Sequence, residues 1–131
     1  MLGEDRSEEE FKALVVATIL DTNPEGALDM LCEHYKVDRP TLGVGVVKGR
    51  SKGVLAVYSR NRKEILAANR DSLYDPFTII HEFYHHLRHH GTKHRGTEKH
   101  ADKFAGGFIL AYNATVKRML AENEKPGRGP R

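Results

Sequence analysis

The chain has 131 residues, of which 39% are hydrophobic, and a formal net charge of +3, and this length predicts one domain with a core of ordinary size. Lys125, Arg128 and Arg131 account for the whole net charge, since the other 18 basic residues are balanced by 18 acidic ones, so the composition does not favour nucleic acid as a direct ligand. No apolar run approaches 18 residues, which argues against a membrane span, and the single cysteine, Cys32, excludes an internal disulfide.

The first part of the chain predicts two helices. Ser7-x-x-Glu10 is typical of a capping box that starts the first helix, and Asn23-Pro24 is typical of an N-cap followed by proline at the start of the second. Pro40 predicts that the second helix has ended before it. The residues that we expect on the buried face of the first helix are Phe11, Leu14, Val15, Thr18 and Ile19.

Three strands are predicted next, over residues 42–46, 54–58 and 64–68, where apolar residues alternate or form short runs between turns. Because the connections are short, we expect a largely antiparallel meander packed against helices, which is an α+β fold. Gly43 and Gly45 fall in the first of these strands. At a sheet edge, glycine would let an extended substrate pair with the strand.

Two further helices complete the predicted fold. Asp75-Pro76 predicts the start of the first, and Gly91 predicts its end. The last helix is expected over residues 97–123. Its apolar residues, which we expect to be buried, are Phe104, Phe108, Ile109, Tyr112, Val116, Met119 and Leu120.

The most informative motif is His81-Glu82-x-x-His85, in the middle of the first of these two helices. Residues four apart share a helix face, about 6 Å apart along the axis, so the two imidazoles can bind one zinc ion at ~2.0–2.1 Å. Glu82 can act as general base toward a water that the ion activates. The alternative is a solvated, histidine-rich helix end that matches the motif by chance, and the marked helix ends argue against it.

Catalytic zinc requires three protein ligands and one open position for water. Glu98 and Asp102 are four residues apart, so they share a face of the next helix, and Glu98 can complete a His₂Glu set. Asp102 can accept a hydrogen bond from the far ring nitrogen of one of the two histidines and fix its tautomer. Ala101 and Ala105 lie on the same face, and their small side chains would let the two helices approach closely enough to share an ion.

With these residues, the chain resembles the ImmA/IrrE-type zinc peptidases, which are minimal gluzincins. Their H-E-x-x-H helix is followed by a helix reading E-x-x-A-[ND]-x-F-A, which this chain matches with Glu98-x-x-Ala101-Asp102-x-Phe104-Ala105. The resemblance is specific over residues 65–110. It implies a zincin-like fold and one zinc ion per chain, with Glu82 as the catalytic residue and three metal ligands: His81, His85 and Glu98.

Other residues remain open as participants. His100 lies 15 residues after His85, a spacing that resembles the third ligand of SprT-like proteases, so it is an alternative ligand to Glu98. His89 continues the face of the two motif histidines and is a weaker candidate. The histidines that we otherwise expect to face solvent are His86, His89, His90 and His94. Candidates for stabilising the oxyanion are Tyr74, Tyr84, His94 and Arg70.

By this resemblance we expect a zinc-dependent endopeptidase that cleaves a specific protein or peptide, and the implied substrate is a helix-turn-helix transcriptional repressor. Two alternatives are a SprT-like protease acting on DNA-bound proteins and a non-catalytic zinc-containing module that binds a protein partner. Five acidic residues among the first ten are atypical of a secretory signal, so we expect a cytoplasmic protein. Residues 1–124 are expected to form the domain and residues 125–131 a disordered basic tail.

Overall fold

The computed structural model describes residues 2–45, 54–89 and 98–123, and within them it has five helices and one three-stranded sheet. In chain order the elements are α1 (Leu2–Leu20), α2 (Pro24–Tyr35), β1 (Thr41–Val44), β2 (Ala56–Ser59), β3 (Glu64–Ala67), α3 (Arg70–Leu73), α4 (Pro76–His89) and α5 (Glu98–Asn123). The predicted α+β class is confirmed. The predicted helix end at Gly91 and the predicted tail over residues 125–131 lie outside the described residues.

Helix α4 contacts the four other helices and strands β2 and β3. Its apolar side chains recur at spacings of three and four, and Ile79, Ile80, Phe83 and Leu87 are buried. They join a core contributed by the other helices and the central strand, which includes Val15, Val16, Ile19, Leu28, Leu31, Ile65, Ala105 and Phe108. Because one side of α4 is fixed in this core, the opposite side presents its polar residues in defined positions.

The sheet has the order β1-β3-β2, so the predicted antiparallel meander is wrong. Strand β3 pairs in parallel with β1 and antiparallel with β2. Burial explains the order, because Ile65 and Ala67 of β3 are fully buried, whereas no residue of β1 is buried. The most apolar strand therefore takes the centre, and β1 and β2 form the two edges.

Local signals explain two of the helix boundaries. The side chain of Asn23 accepts a hydrogen bond of 3.0 Å from the backbone N–H of Gly26, as expected for the predicted N-cap of α2. A capping box at Ser7 is wrong, because α1 already begins at Leu2. The sequence did not predict α3, a short helix whose N-cap, Asn69, accepts a hydrogen bond from the backbone of Ser72.

Helices α1 and α5 pack against each other and are the longest elements, with 19 and 26 residues. Three residues that we predicted to be buried on them are exposed: Leu14 by 57%, Met119 by 60% and Leu120 by 56%. Helix α4 has 14 residues, so the last turns of α5 extend beyond it. Among the described helices, none combines the length and the hydropathy that crossing a bilayer requires.

Candidate metal centre

Two imidazoles project from the same face of α4. The helix begins at Pro76, as predicted, with the backbone N–H of Ile79 donating to the carbonyl oxygen of Asp75. His81 and His85 follow one and two turns later, and their ring centroids lie 5.1 Å apart. Both side chains are largely but not fully buried. Their ring nitrogens are therefore held close together and remain accessible from one side.

Glu98 supplies a carboxylate to both histidines from the first residue of α5. Its Oε1 lies 2.7 Å from Nε2 of His81, and its Oε2 lies 3.3 Å from Nε2 of His85. One donor atom from each of the three residues lies within 4.8 Å of the others. The predicted convergence of these three side chains is confirmed.

Small residues at the contact between α4 and α5 make this convergence possible. Ala101 and Ala105 lie one and two turns after Glu98 and are fully buried. A larger side chain at either position would fill the space between the helices and move the carboxylate away from the imidazoles. The sequence predicted that these small side chains let the two helices approach closely, and their full burial is consistent with that prediction.

The three donors fit a tetrahedral metal ion. With metal–ligand bonds of about 2.0 Å, the donor atoms of a tetrahedral site lie about 3.3 Å from one another. The contact between Glu98 and His85 already has this length, and the contact between Glu98 and His81 is 0.6 Å shorter, from 3.3 Å and 2.7 Å. The Glu98 carboxylate thus reaches both imidazoles, and one donor atom from each of the three residues lies within 4.8 Å of the others, near the spacing that a single ion requires.

The protons on His81 provide a second argument for a cation. Its Nδ1 lies 2.9 Å from Oδ1 of Asp102, and its Nε2 faces Glu98, so both ring nitrogens point at carboxylate oxygens. A neutral imidazole has one N–H and can donate to only one of them. The other nitrogen and its oxygen would repel each other unless a proton or a metal ion lies between them. Asp102 was predicted to accept a hydrogen bond from one of the two histidines, and its Oδ1 is positioned to accept one from Nδ1 of His81.

Glu82 borders the same centre. Its side chain is mostly buried, and its Oε2 lies 4.0 Å from Nε2 of His81. It lines a cleft of about 370 Å³ that also reaches His85 and Glu98. The rest of the cleft wall consists of Val54, Ala56, Val57, Tyr58, Arg60 and Arg88. A molecule in this cleft would therefore touch the metal donors, the Glu82 carboxylate and the edge strand β2.

The electrostatics of the centre favour the protonation states that bind metal. Burial lowers the pKa of His85, and the nearby His81 and Arg88 lower it further against the opposing effect of Glu98. For Glu98, burial acts to raise the pKa, but the hydrogen bond with His81 and the charges of both histidines outweigh it, so the pKa is lowered. A neutral His85 beside an ionised Glu98 is the state that a divalent cation requires.

Of the predicted oxyanion candidates, the three that the structure describes do not line the cleft. Tyr84 is buried with its ring 5.1 Å from that of Phe104, so it belongs to the core. Arg70 is exposed at the start of α3, and Tyr74 ends the same helix. His94 lies outside the described residues. The three described candidates were selected by chain proximity to the motif, and chain proximity did not bring them to the cleft.

Three polar residues that line the cleft were missed: Tyr58, Arg60 and Arg88. Arg88 lies three residues after His85, so helical spacing alone could have placed it on the metal-binding face. Tyr58 and Arg60 come from β2 and the turn after it. Since the sheet order was predicted wrongly, no signal in the sequence connected that strand with α4.

The remaining histidines differ from prediction. His86 was expected in solvent but is 0% exposed, with Nδ1 2.7 Å from the Tyr58 hydroxyl and Nε2 2.6 Å from the backbone oxygen of Asp38. His89 is half-buried and accepts a hydrogen bond from Nε of Arg60. Among the described residues, His100 does not belong to the group of metal donors. His90 and His94 lie outside the described residues.

Cys32 is buried in α2, and its Sγ lies 3.5 Å from the backbone oxygen of Asp38. Burial raises the pKa of this thiol to about 11. Because the thiolate is the nucleophilic form, Cys32 is unsuited to nucleophilic catalysis near neutral pH. The interpretation of this residue as a packing group agrees with its environment.

Comparisons with known proteins do not connect this chain to a family. No family model matches the chain. Neither the curated proteins nor the solved structures yield a match.

Proposed function

We propose that the protein is a zinc-dependent peptidase whose metal is held by His81, His85 and Glu98. The observation that supports this most directly is the convergence of the three donors within 4.8 Å, beside the Glu82 carboxylate in an open cleft. Two imidazoles and one carboxylate form a ligand set that suits catalytic zinc, which keeps one coordination position for water or substrate.

Zinc in this position would act as a Lewis acid, polarising a peptide carbonyl and lowering the pKa of a water molecule. Glu82 would accept a proton from that water on its carboxylate and deliver it to the leaving amine. Asp102 would hold the proton of His81 on Nδ1, which keeps Nε2 available as a ligand. Glu82 would thus transfer protons, whereas Asp102 would orient the imidazole of His81.

The edge strand β2 offers a place for the peptide backbone. Residues of β2 line the cleft, and β2 pairs only with β3 among the described strands. An extended peptide can add to such an edge through backbone hydrogen bonds. The sequence pointed instead to Gly43 and Gly45, but β1 forms the edge on the other side of β3 and contributes no residue to the cleft.

The substrate proposed from the resemblance to ImmA/IrrE-type peptidases is a helix-turn-helix repressor, so the activity would be regulatory proteolysis in the cytoplasm. The motif residues that carry this resemblance are the same residues that converge in the structure. A SprT-like site would need His100 as a ligand, whereas the described group of possible metal donors contains Glu98 and does not contain His100. A purely structural zinc site would normally be closed by four ligands, whereas three donors converge beside Glu82 in the part of the chain that the structure describes.

Metal analysis and a cleavage assay test the proposal. The purified protein should bind one zinc ion per chain, and Glu98→Ala should lose it, while His100→Ala, the matched control on the same helix, should keep it. Glu82→Gln should retain zinc but lose cleavage of candidate repressors and of unfolded proteins. Full cleavage by Glu82→Gln, or zinc binding that survives in Glu98→Ala and is lost in His100→Ala, would contradict the assignment.

A further inference from the structure

Two guanidinium groups share the cleft with the proposed metal centre. Arg60 follows strand β2, and Arg88 lies near the end of α4, so the two sides of the cleft each contribute one arginine. Both residues are exposed, so their charged ends can reach a molecule bound in the cleft. Arginine is well suited to binding carboxylates, because its planar guanidinium can donate two parallel hydrogen bonds.

The position of Arg88 relates directly to the metal donors. It lies three residues after His85, hence on the same helix face and one turn farther along. The midpoint of His81 and His85 is five residues before Arg88, which is about 7.5 Å along the helix axis. An extended peptide advances about 3.3 Å per residue, so this distance corresponds to about two residues.

The other arginine is directed to the same end of the cleft. Arg60 lies in the turn that follows β2, and its Nε donates to Nδ1 of His89 at 3.1 Å. His89 adjoins Arg88 on α4. The hydrogen bond uses only one of the five N–H groups of Arg60, so the others remain for a ligand.

Neither arginine has a carboxylate of the described chain within ion-pair distance. The carboxylates that line the cleft are Glu82 and Glu98, which together balance a divalent cation. If a divalent cation occupies the proposed metal site and balances these two carboxylates, the guanidinium groups of Arg60 and Arg88 are the remaining formal charges among the described residues of the cleft wall.

We propose that Arg60 and Arg88 form a subsite for an acidic side chain, so that the cleft selects peptides with Asp or Glu about two residues from the bond held at the metal. The selection of peptides rests on the proposed function, because the scissile bond is defined by the zinc site. The arginines are specificity-determining residues, and they take no part in the bond cleavage itself. The partner class is thus an acidic extended peptide segment.

A binding experiment tests the subsite without turnover. Zinc-loaded protein carrying Glu82→Gln is immobilised and mixed with two octapeptide pools, random except for one central residue that is Glu in one pool and Gln in the other. Mass spectrometry measures the peptides retained. The same measurement is made on a variant that carries Arg60→Gln and Arg88→Gln in addition to Glu82→Gln. The control variant carries Arg62→Gln and Lys63→Gln in addition to Glu82→Gln. These two substitutions remove the same charge, but from the adjoining turn, which lies outside the cleft wall.

We expect the parent and the control to retain the Glu pool about tenfold more strongly than the Gln pool, and the double arginine variant to show a ratio near one. A ratio near one for the parent, or an unchanged ratio in the double arginine variant, would overturn the subsite. Cleavage by the wild type is measured separately. If acidic peptides are preferred but zinc-dependent cleavage is absent, the subsite stands and the proposed peptidase activity is rejected. If zinc-dependent cleavage occurs at bonds with no acidic residue nearby, the peptidase activity stands and the subsite is rejected.

Discussion

The Tyr58 hydroxyl lies 2.7 Å from Nδ1 of His86, and this contact joins strand β2 to the helix that carries the proposed metal ligands. The carbonyl oxygen of Asp38 can only accept, so the Nε2 of His86 that faces it at 2.6 Å must carry a proton. In the neutral ring, Nδ1 then accepts from Tyr58. His86 is thereby a structural residue, although it directly follows the ligand His85 in the sequence.

Replacing His86 by Leu should therefore destabilise the domain without removing zinc. The change leaves the part-buried carbonyl of Asp38 and the Tyr58 hydroxyl without their partner, which should lower the free energy of unfolding by about 2–3 kcal/mol. Urea unfolding of the zinc-free protein measures this. His89→Leu, on a half-buried ring at the same end of α4, should cost less than about 1 kcal/mol. Equal effects of the two substitutions would argue against the special role of His86.

Asp102→Asn should weaken zinc binding while leaving the fold intact. Its carboxylate holds the Nδ1 proton of His81, and the loss of such a partner typically reduces metal affinity about 10- to 100-fold. Competition with a calibrated zinc chelator gives the affinity. Asp71→Asn, which changes an exposed carboxylate on α3 in the same way, serves as the control. If both variants bind zinc like the wild type, Asp102 does not orient the ligand.

Zinc affinity should fall in acid, and the contribution of His85 should persist to a lower pH than that of an ordinary histidine ligand. Metal binding needs the neutral imidazole, and burial lowers the pKa of His85, so this ring stays neutral until the pH falls below the usual histidine range. Glu98, whose pKa is also lowered, remains ionised over the same interval. Both shifts keep the ligands competent as the pH falls, and affinity is lost when the pH passes through the lowered value of His85. Titration calorimetry between about pH 7.5 and pH 5 checks this. An affinity independent of pH across that range would contradict histidine ligation.

Ala101→Leu should separate α4 from α5. The alanine is fully buried between the helices, and overpacking of this kind typically costs about 1–3 kcal/mol. Because the displaced helix carries Glu98, zinc affinity should fall together with stability. Ala121→Leu makes the same change at an exposed position of α5 and should alter neither quantity. Full zinc affinity in Ala101→Leu would mean that the helix spacing does not determine the position of the carboxylate.

Several local features followed from the sequence because they depend on neighbouring residues only. The start of α4 at Pro76 and the N-cap of α2 at Asn23 required no tertiary information. The common face of His81 and His85 follows from helix geometry. The approach of Glu98 could be predicted because the alanines after it reveal a close helix contact.

Other features depended on which elements pack together. The sheet order could not be obtained from strand patterns, since the apolar residues of β3 fit either an edge or the centre until the packing of helices on the sheet is known. His86 was assigned to solvent because its burial partners come from β2 and from the segment after α2, 28 and 48 residues away. The absence of Tyr74, Tyr84 and Arg70 from the cleft wall has the same reason.

The sequence by itself determined the donor set of the proposed metal centre, because two periodic helices with a fixed spacing of ligands leave little freedom in which side chains meet. Only the tertiary structure decided what surrounds those donors. The cleft wall combines α4 with β2, and such contacts depend on the burial of apolar surface across the whole domain, which no local pattern encodes. For this reason the three converging donors could be named from the sequence, and the two arginines beside them could not.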